Sequence, residues 1–259
     1  MHTTTKALVL RSVDYKESDK ILTLLTQDLG KVTASARGCR KKGSPLAAGC
    51  QLLCWSELVL YDYQGRWTVK EASTQRQFRG VRDDLDKLAL ACYFAEVTEL
   101  LAVEDMPSPE LLSLILNSLH ALEKLNKPLP LVKAAFELKA MCLAGYEPLL
   151  DGCAVCGTEP PEEPRFHLRE GVLHCARCRG EVGEGISMPL NGQALEAMRH
   201  IAYGDPKRLF SFRAEGEGLQ QLADLTEAYL HTQLERGFRT LDFYKQMRAG
   251  SEGEGERIR

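Results

Sequence analysis

The sequence predicts an α+β protein with a small β-barrel at its N-terminus, a helical body after it and a four-cysteine segment inserted in that body. Three observations support this fold class. Short runs rich in β-branched and aromatic residues fill residues 6–78, apolar residues recur at three- and four-residue steps from Asp83 onward, and two Cys-x-x-Cys pairs interrupt the second pattern. With 44% hydrophobic and 27% charged residues, the chain of 259 residues has a globular composition.

The N-terminal part contains five candidate strands. They are Lys6–Val13, Ile21–Thr26, Lys31–Arg37, Leu52–Tyr63 and Arg66–Thr74. Five strands in about seventy residues, followed by helices, fit a barrel of the oligonucleotide-binding (OB) type. Small apolar residues alternate with polar and basic ones along the third strand, which predicts one packed face and one basic, solvated face.

Helical periodicity predicts the remaining elements. Ser108 and Pro109 are an N-cap and a first helical residue, and a helix from about Leu131 to Ala144 ends at Gly145. Two more helices are expected at Asn191–Tyr203 and at about Leu219–Leu234. The predicted divisions are 1–80 for the barrel, 81–150 and 186–249 for the helical domain, 151–185 for the insertion and 250–259 for a disordered tail.

Charge is distributed unevenly along the chain. The net charge is -3, but residues 1–80 hold 13 Lys and Arg against 7 Asp and Glu. The segments 81–150 and 151–190 are acidic. The N-terminal part is therefore the candidate for a polyanionic partner.

The four-cysteine segment has the spacing of a metal site. Cys153 and Cys156 are separated by eighteen residues from Cys175 and Cys178, which is typical of zinc ribbons. Four thiolates leave no open coordination position, so we expect one structural Zn²⁺ per chain. A redox role for one pair and simple burial of the thiols are the alternatives. His167 and His174 are possible substitute ligands, although solvated hairpin positions suit them better.

The second group of residues with a possible function is a basic loop at the end of the third strand, Ala36-Arg-Gly-Cys-Arg-Lys-Lys-Gly-Ser, which has four cations in six positions. Its cations can neutralise phosphates without reading bases, whereas most charge runs are merely solvated. The candidate DNA-binding residues are Lys31, Arg37, Arg40, Lys41, Lys42, Arg66, Lys70 and Arg76. Four aromatic residues are candidates either for base stacking or for packing: Tyr15, Tyr61, Tyr63 and Trp67.

Enzymatic motifs do not occur in the sequence. A zinc nucleobase deaminase needs a His-x-Glu element, which none of the six histidines provides. There is also no Walker phosphate loop and no Gly-x-Ser-x-Gly elbow. The longest apolar stretch, Leu88 to Val103, is interrupted by Glu96 and Glu99, and the N-terminus does not resemble a secretory signal. We therefore expect a cytoplasmic protein without catalytic residues.

Several segments together resemble the RecO family of bacterial recombination mediators. They are Lys6-Ala-Leu-Val-Leu-Arg-Ser, Glu17-Ser-Asp-Lys-Ile-Leu-Thr-Leu, Gly30-Lys, Gly38-Cys-Arg-Lys-Lys-Gly-Ser, Phe136-Glu-Leu-Lys, Gly145-Tyr-Glu-Pro and Cys153-Ala-Val-Cys-Gly. The resemblance implies binding of single- and double-stranded DNA, annealing of complementary strands and action on strands coated by single-stranded DNA-binding protein. It also implies partnership with RecR in loading RecA. Some family members lack the zinc cysteines.

The resemblance further implies a docking site in the helical region for the acidic, hydrophobic tail of the single-stranded DNA-binding protein. Lys133, Phe136 and Lys139 lie at three-residue steps and are the candidates. The alternative is that Phe136 belongs to the core. For the whole chain, the rival function is a zinc-ribbon module that binds RNA or protein in transcription or translation.

Overall fold

The computed structural model describes the backbone of residues 1–256 and the side chains of residues 1–249. The chain forms two compact units. One unit consists of Met1–Leu125 together with the segment from Phe238 onward, and the other is Asn126–Gly237. The boundary at Leu125 lies inside the segment 81–150, which the sequence grouped with the later helices.

Unit 1 begins with a closed five-stranded barrel, which confirms the predicted architecture. The strands are β1 His2–Tyr15, β2 Asp19–Thr26, β3 Lys31–Ala36, β4 Trp55–Tyr63 and β5 Arg66–Arg76. Their order around the barrel is β1-β2-β3-β5-β4. The pair of β3 and β5 is parallel, and the other four pairs are antiparallel.

The barrel core follows from the alternation along the strands. Val32, Ala34 and Ala36 are at most 2% exposed and pack with residues such as Leu22 and Leu58. Because successive strand residues point to opposite faces, the intervening residues of β3 face outward, as predicted. The outward face of β3 is therefore where basic and polar side chains meet solvent.

Four helices complete unit 1: α1 Arg79–Arg82, α2 Leu85–Leu101, α3 Pro109–Lys124 and α7 Arg239–Glu256. The side chain of Asp84 caps α2 by accepting from the Lys87 backbone N–H at 3.1 Å, and Pro109 opens α3 as predicted. Helix α7 packs its buried Leu241 into this unit. The predicted tail, 250–259, falls where α7 runs to Glu256, and residues 257–259 lie outside the described part of the chain.

Unit 2 contains the helices α4 Leu129–Leu143, α5 Gly192–Tyr203 and α6 Gly216–Leu234 and a small sheet of β6 Arg165–His167, β7 Val172–His174 and β8 Ser187–Pro189. The three helices confirm the predicted ones to within three residues at each end. Asn191 caps α5 by accepting from the Ala194 N–H at 2.9 Å. Gly145, with a φ of +91°, follows α4 as predicted.

A buried ion cluster links α4 with α6. The Lys133 ammonium lies 2.8 Å from Glu137 and 2.8 Å from Glu227. The Thr226 hydroxyl donates to Glu137 at 2.9 Å. Burial disfavours the charged amine, but the two carboxylates outweigh burial and raise the pKa of Lys133. The cluster is therefore a fixed part of the core of unit 2.

The predicted peptide-docking site at Lys133, Phe136 and Lys139 is wrong in this fold. Phe136 is 0% exposed and Lys133 is 5% exposed, and the Lys139 ammonium donates to the Ala202 carbonyl at 3.1 Å. The physical reason is that α4 is buried on all sides: every residue from Leu131 to Leu138 is buried, so no face of its central part meets solvent. A docking peptide could reach neither Phe136 nor Lys133.

The ion cluster carries a prediction about stability. Lys133→Met should destabilise the protein by about 3–5 kcal/mol, because it leaves the buried Glu137 carboxylate without its cation. Denaturant unfolding of both proteins measures this difference. The control is Lys139→Met, which removes one half-buried hydrogen bond and should cost about 1 kcal/mol. Equal losses in the two variants would show that the cluster contributes nothing beyond an ordinary hydrogen bond.

Among the described residues, no helix is both long and apolar enough to cross a bilayer.

Candidate nucleic-acid interface and metal centre

The parallel pairing of β3 and β5 places four of the predicted DNA-binding residues on one outward face of the barrel. Ala34 pairs with Trp67 and Ser35 with Thr68, so the two strands run alongside each other in the same direction. Their inward residues, such as Ala34 and Val69, are buried. The cations on the opposite face of the two strands are Lys31, Arg37, Arg66 and Lys70.

The basic loop, Arg37–Ser44, extends from the end of β3 and is held against the β1–β2 turn. The Gly38 N–H donates to Asp19 Oδ1 at 2.8 Å, and the Arg40 N–H donates to the Ser18 carbonyl at 2.9 Å. Gly38 and Gly43 have φ values of +66° and +77°, which glycine adopts without strain. The loop therefore has a defined conformation although it is mostly exposed.

Asp19 is the carboxylate that organises this contact. The hydrogen bond from the Gly38 N–H, followed by that from Ser18 and by the nearby Lys16 and Arg37, lowers the pKa of Asp19 from its ordinary 3.8. Because the pKa is lowered in the folded state, this contact stabilises the loop above about pH 3.8 and is lost only as the pH falls below that value. At neutral pH the loop is held in place.

Within the loop, Arg40 differs from the other cations. Its guanidinium donates to the carbonyls of Lys16 and Glu17 at 3.3 Å each and lies 3.2 Å from Asp14. Arg37, Lys41 and Lys42 are exposed. Arg40 thus ties the loop to the β1–β2 turn, while the other three cations face solvent and can meet phosphates.

Sequence reasoning missed two cations of this region, Lys16 and Lys20. Lys16 lies in the β1–β2 turn, and the Lys20 ammonium donates to Ser12 at 3.2 Å. With them, the turn and the basic loop bring together six cations: Lys16, Lys20, Arg37, Arg40, Lys41 and Lys42. Three carboxylates lie among them: Asp14, Glu17 and Asp19. The sequence does show a charged segment at the β1–β2 turn. Only the fold shows that this turn contacts the basic loop.

Two predicted DNA-binding residues are engaged with other parts of unit 1. The Lys31 ammonium donates to the Glu99 carbonyl at 3.1 Å. Arg76 lies 2.7 Å from Glu123 and 2.8 Å from His120 and sits over the Phe78 ring. These contacts satisfy both cations within the protein, so neither Lys31 nor Arg76 is available to a phosphate.

In unit 2, the four predicted metal ligands come together as one cluster. The sulfurs of Cys153, Cys156, Cys175 and Cys178 all lie within 4.8 Å of one another. The Sγ of Cys175 is 3.9 Å from that of Cys153, 3.9 Å from that of Cys156 and 3.3 Å from that of Cys178. Zn–S bonds of about 2.3 Å in a tetrahedron place sulfurs about 3.8 Å apart. The cluster can hold one tetrahedral metal ion.

Local backbone geometry aims the thiols at a common point. The Gly157 N–H donates to the Cys153 carbonyl at 2.9 Å, with a φ of +72° at Gly157, and the Cys178 N–H donates to the Cys175 carbonyl at 3.1 Å. These bonds close a tight turn at each Cys-x-x-Cys pair. Burial opposes ionisation of Cys153, but backbone N–H groups of Cys156, Cys175 and Val155 outweigh burial and lower its pKa to about 6. The thiolate form of Cys153 is thus favoured, whereas the hydrogen bond with Cys175 and burial raise the pKa of Cys178.

The two histidines near the cluster have other contacts. The His174 ring nitrogens lie 3.0 Å from the Cys175 carbonyl and 2.8 Å from Ser187, and His167 accepts from the Glu170 N–H at 3.1 Å. Both belong to the predicted hairpin of β6 and β7. They are 1% and 0% exposed, so the solvated positions that the sequence favoured for them are wrong. The cysteines alone form the candidate ligand set within the described residues.

Comparisons with known proteins agree with these features. The family model described as Recombination protein O N terminal matches residues 1–78, and Recombination protein O C terminal matches residues 82–242. A DNA repair protein RecO from Acetivibrio thermocellus is 31% identical over 244 residues, covering 94% of this chain and 96% of the relative. Proteins of the same name from Symbiobacterium thermophilum and Myxococcus xanthus are 32% and 33% identical, each with 93% of this chain and 96% of the relative covered. The chain therefore belongs to the RecO recombination protein family.

Proposed function

We propose that this protein binds DNA through the basic loop and acts as a recombination mediator that anneals complementary strands. The observation that carries the proposal is the basic loop at the end of β3 in the OB-like barrel. Hydrogen bonds fix this loop to the β1–β2 turn, and its Arg37, Lys41 and Lys42 are exposed to solvent. The relatives named DNA repair proteins support a role in repair. No catalytic residue is needed for this function.

The proposed mechanism is electrostatic. Phosphates of two strands meet the cations of the loop and of the β1–β2 turn, which reduces the repulsion between the strands. Sequence is then read by base pairing between the strands and not by the protein. Binding of single- and double-stranded DNA should accordingly be tolerant of sequence and weakened by salt.

The partners proposed for this chain come from the family. They are RecR, single-stranded DNA-binding protein on the coated strand and, indirectly, RecA, which the complex helps to load. The corresponding place in the cell is the cytoplasm, at the nucleoid. We assign no surface to RecR. We also assign none to the tail of the single-stranded DNA-binding protein, because Lys133 and Phe136 of the predicted docking site are buried.

We also propose that the four cysteines hold one Zn²⁺ with a structural role. The Sγ of Cys175 lies 3.3–3.9 Å from the other three sulfurs, which fits tetrahedral coordination of one Zn²⁺. Four thiolates leave no position for a substrate or a water molecule, so bound zinc would supply cross-linking and not chemistry. It would tie the two cysteine turns to the hairpin, where few apolar residues are available to form a core.

Competition between nucleic acids tests the DNA proposal. Wild-type protein is titrated with labelled single-stranded DNA against unlabelled duplex DNA and a structured RNA, at salt from about 50 to 200 mM. We expect both DNA forms to compete, with little dependence on their sequence. The logarithm of the binding constant should fall linearly with the logarithm of the salt concentration. If the structured RNA wins at every salt concentration, the rival role in transcription or translation replaces this one.

A further inference from the structure

An aromatic strip lies on the outward face of the barrel, next to the cations of β5. In β4, Leu58 and Leu60 are fully buried, so Tyr61 and Tyr63 on the alternating positions face outward. The strand pairings place His2 of β1 beside Tyr61, and Thr68 and Arg66 of β5 beside Tyr61 and Tyr63. We define the aromatic strip as His2, Tyr61 and Tyr63.

The contacts within the strip leave ring surface open to solvent. The His2 and Tyr61 ring centroids are 4.8 Å apart, with the planes tilted by 44°. On the other side, the Lys70 ammonium lies 5.2 Å from the Tyr61 centroid. Tyr63 is 61% exposed. Because these rings lie on the outside of the barrel, packing of the core does not account for them.

The strip is continuous with the surface that carries the basic loop. Thr68 pairs with Tyr61 on one side and with Ser35 of β3 on the other, and two residues beyond Ser35 the chain reaches Arg37. A strand with phosphates on the loop can therefore place its bases across β3 and β5 onto the rings. Strand geometry makes this path short, since neighbouring strands lie about 4.8 Å apart.

We propose that the aromatic strip is a stacking site for unpaired bases, so that the protein engages a single strand by its bases as well as by its phosphates. The proposal rests on the DNA-binding function proposed above and adds the class of ligand at this face. Every base has a π-face, so stacking is tolerant of sequence. A duplex keeps its bases stacked on one another and cannot use the strip.

Charges around the strip determine how it should respond to salt. Glu57 and Glu71 are exposed beyond Lys70, and they line a cavity of about 280 Å³ with it. Glu104 and Asp105 lie with Trp67 in a cleft of about 320 Å³ at the other end of the barrel face. These carboxylates offset Arg66 and Lys70, so the strip attracts phosphates weakly. Its contribution to binding should depend little on salt, unlike that of the basic loop.

Substitution of Tyr63 tests the proposal in the full chain. Tyr63→Ala should weaken binding of an unlabelled thymidine oligonucleotide about tenfold, leave duplex binding unchanged and leave the salt slope unchanged. Tyr63→Phe, which keeps the ring, should bind like the wild type. Phe243→Ala is the matched control, because Phe243 is a 50% exposed aromatic residue that lies on α7 and not on a barrel strand. Competition titrations measure the affinities, and thermal unfolding confirms that each variant is folded.

Three outcomes would overturn the stacking site. They are a wild-type affinity of Tyr63→Ala for the single strand, an equal loss of affinity for single strand and duplex, or an equal effect of Phe243→Ala. A partner protein docked on the strip would give the first of these. The loop variant Arg37→Glu, Lys41→Glu, Lys42→Glu separates this failure from failure of the proposed function. If that variant loses DNA binding while Tyr63→Ala does not, only the stacking site is wrong.

Discussion

Replacing Cys153 and Cys175 by serine is expected to remove bound zinc and to unfold the segment around the cysteine cluster. The two residues come from the two Cys-x-x-Cys turns, and their sulfurs are 3.9 Å apart. Structural zinc in small modules supplies about 10–16 kcal/mol of apparent binding free energy. The short strands of the hairpin, three residues each, could not replace this amount by packing. This is the largest effect on local stability that we expect.

Metal analysis and hydrogen exchange measure this outcome. Wild-type protein purified under reducing conditions should contain about one zinc per chain, and the double variant none. Exchange protection at β6 and β7 should be lost in the variant. Cys92→Ser and Cys142→Ser are controls, since both cysteines are half-buried and lie outside the cluster. A wild-type protein free of metal, or a double variant with unchanged protection, would contradict a structural zinc site.

Reversal of three exposed loop cations is expected to have the largest effect on DNA binding. The variant Arg37→Glu, Lys41→Glu, Lys42→Glu should lower the affinity at least about 100-fold near physiological salt and reduce the salt slope by about 2 to 3. The reason is that each lost phosphate contact no longer releases its counterion. Arg40 is left unchanged, because its bonds to the β1–β2 turn hold the loop in place.

A control for the loop variant distinguishes an effect of the basic loop from an effect of the net charge of the protein. Lys207→Glu, Arg208→Glu, Arg213→Glu changes the net charge by the same amount at exposed positions of unit 2. It should keep the wild-type salt slope and nearly the wild-type affinity. Similar losses in both variants would mean that DNA responds to the total charge of the protein and not to this loop.

The barrel was predictable from sequence because its signals are local. Alternation in β3 showed which residues face the core, and the spacing of the four cysteines indicated a common centre before the hairpin between them was known. Pro109 marked the beginning of α3 for the same reason, since the start of a helix depends on adjacent residues. The predicted cap, Ser108, precedes it but makes no side-chain capping hydrogen bond. Elements of this kind need no knowledge of distant parts of the chain.

Long-range partners were not predictable in this way. The three-residue spacing of Lys133 and Phe136 fits a surface or a core equally well, and the choice depends on Glu227, far along the sequence. Arg76 was predicted to be an available cation because its partners Glu123 and His120, on α3, are distant in the sequence. Lys16 and Lys20 were missed because the turn between β1 and β2 joins the basic loop through long-range contacts, including those of Arg40 with the carbonyls of Ser18 and Lys16.

Helix α7 shows a signal that was present but unused. Phe238, Leu241 and Tyr244 recur at three-residue steps and are at most 3% exposed. The Phe238 ring packs edge-on against Tyr93 at a centroid distance of 5.6 Å. The polar composition of the last residues concealed this pattern, and only the packing against α2 shows that the segment belongs to unit 1.

Strand annealing on coated DNA is the most direct test of the role of the basic loop. Complementary strands are covered with single-stranded DNA-binding protein, and annealing is followed with wild type, the loop variant and the unit 2 control variant. Annealing should be fast with wild type and control and fall to the uncatalysed rate with the loop variant. Annealing by the loop variant at the wild-type rate would contradict the proposal that these cations bring the two strands together.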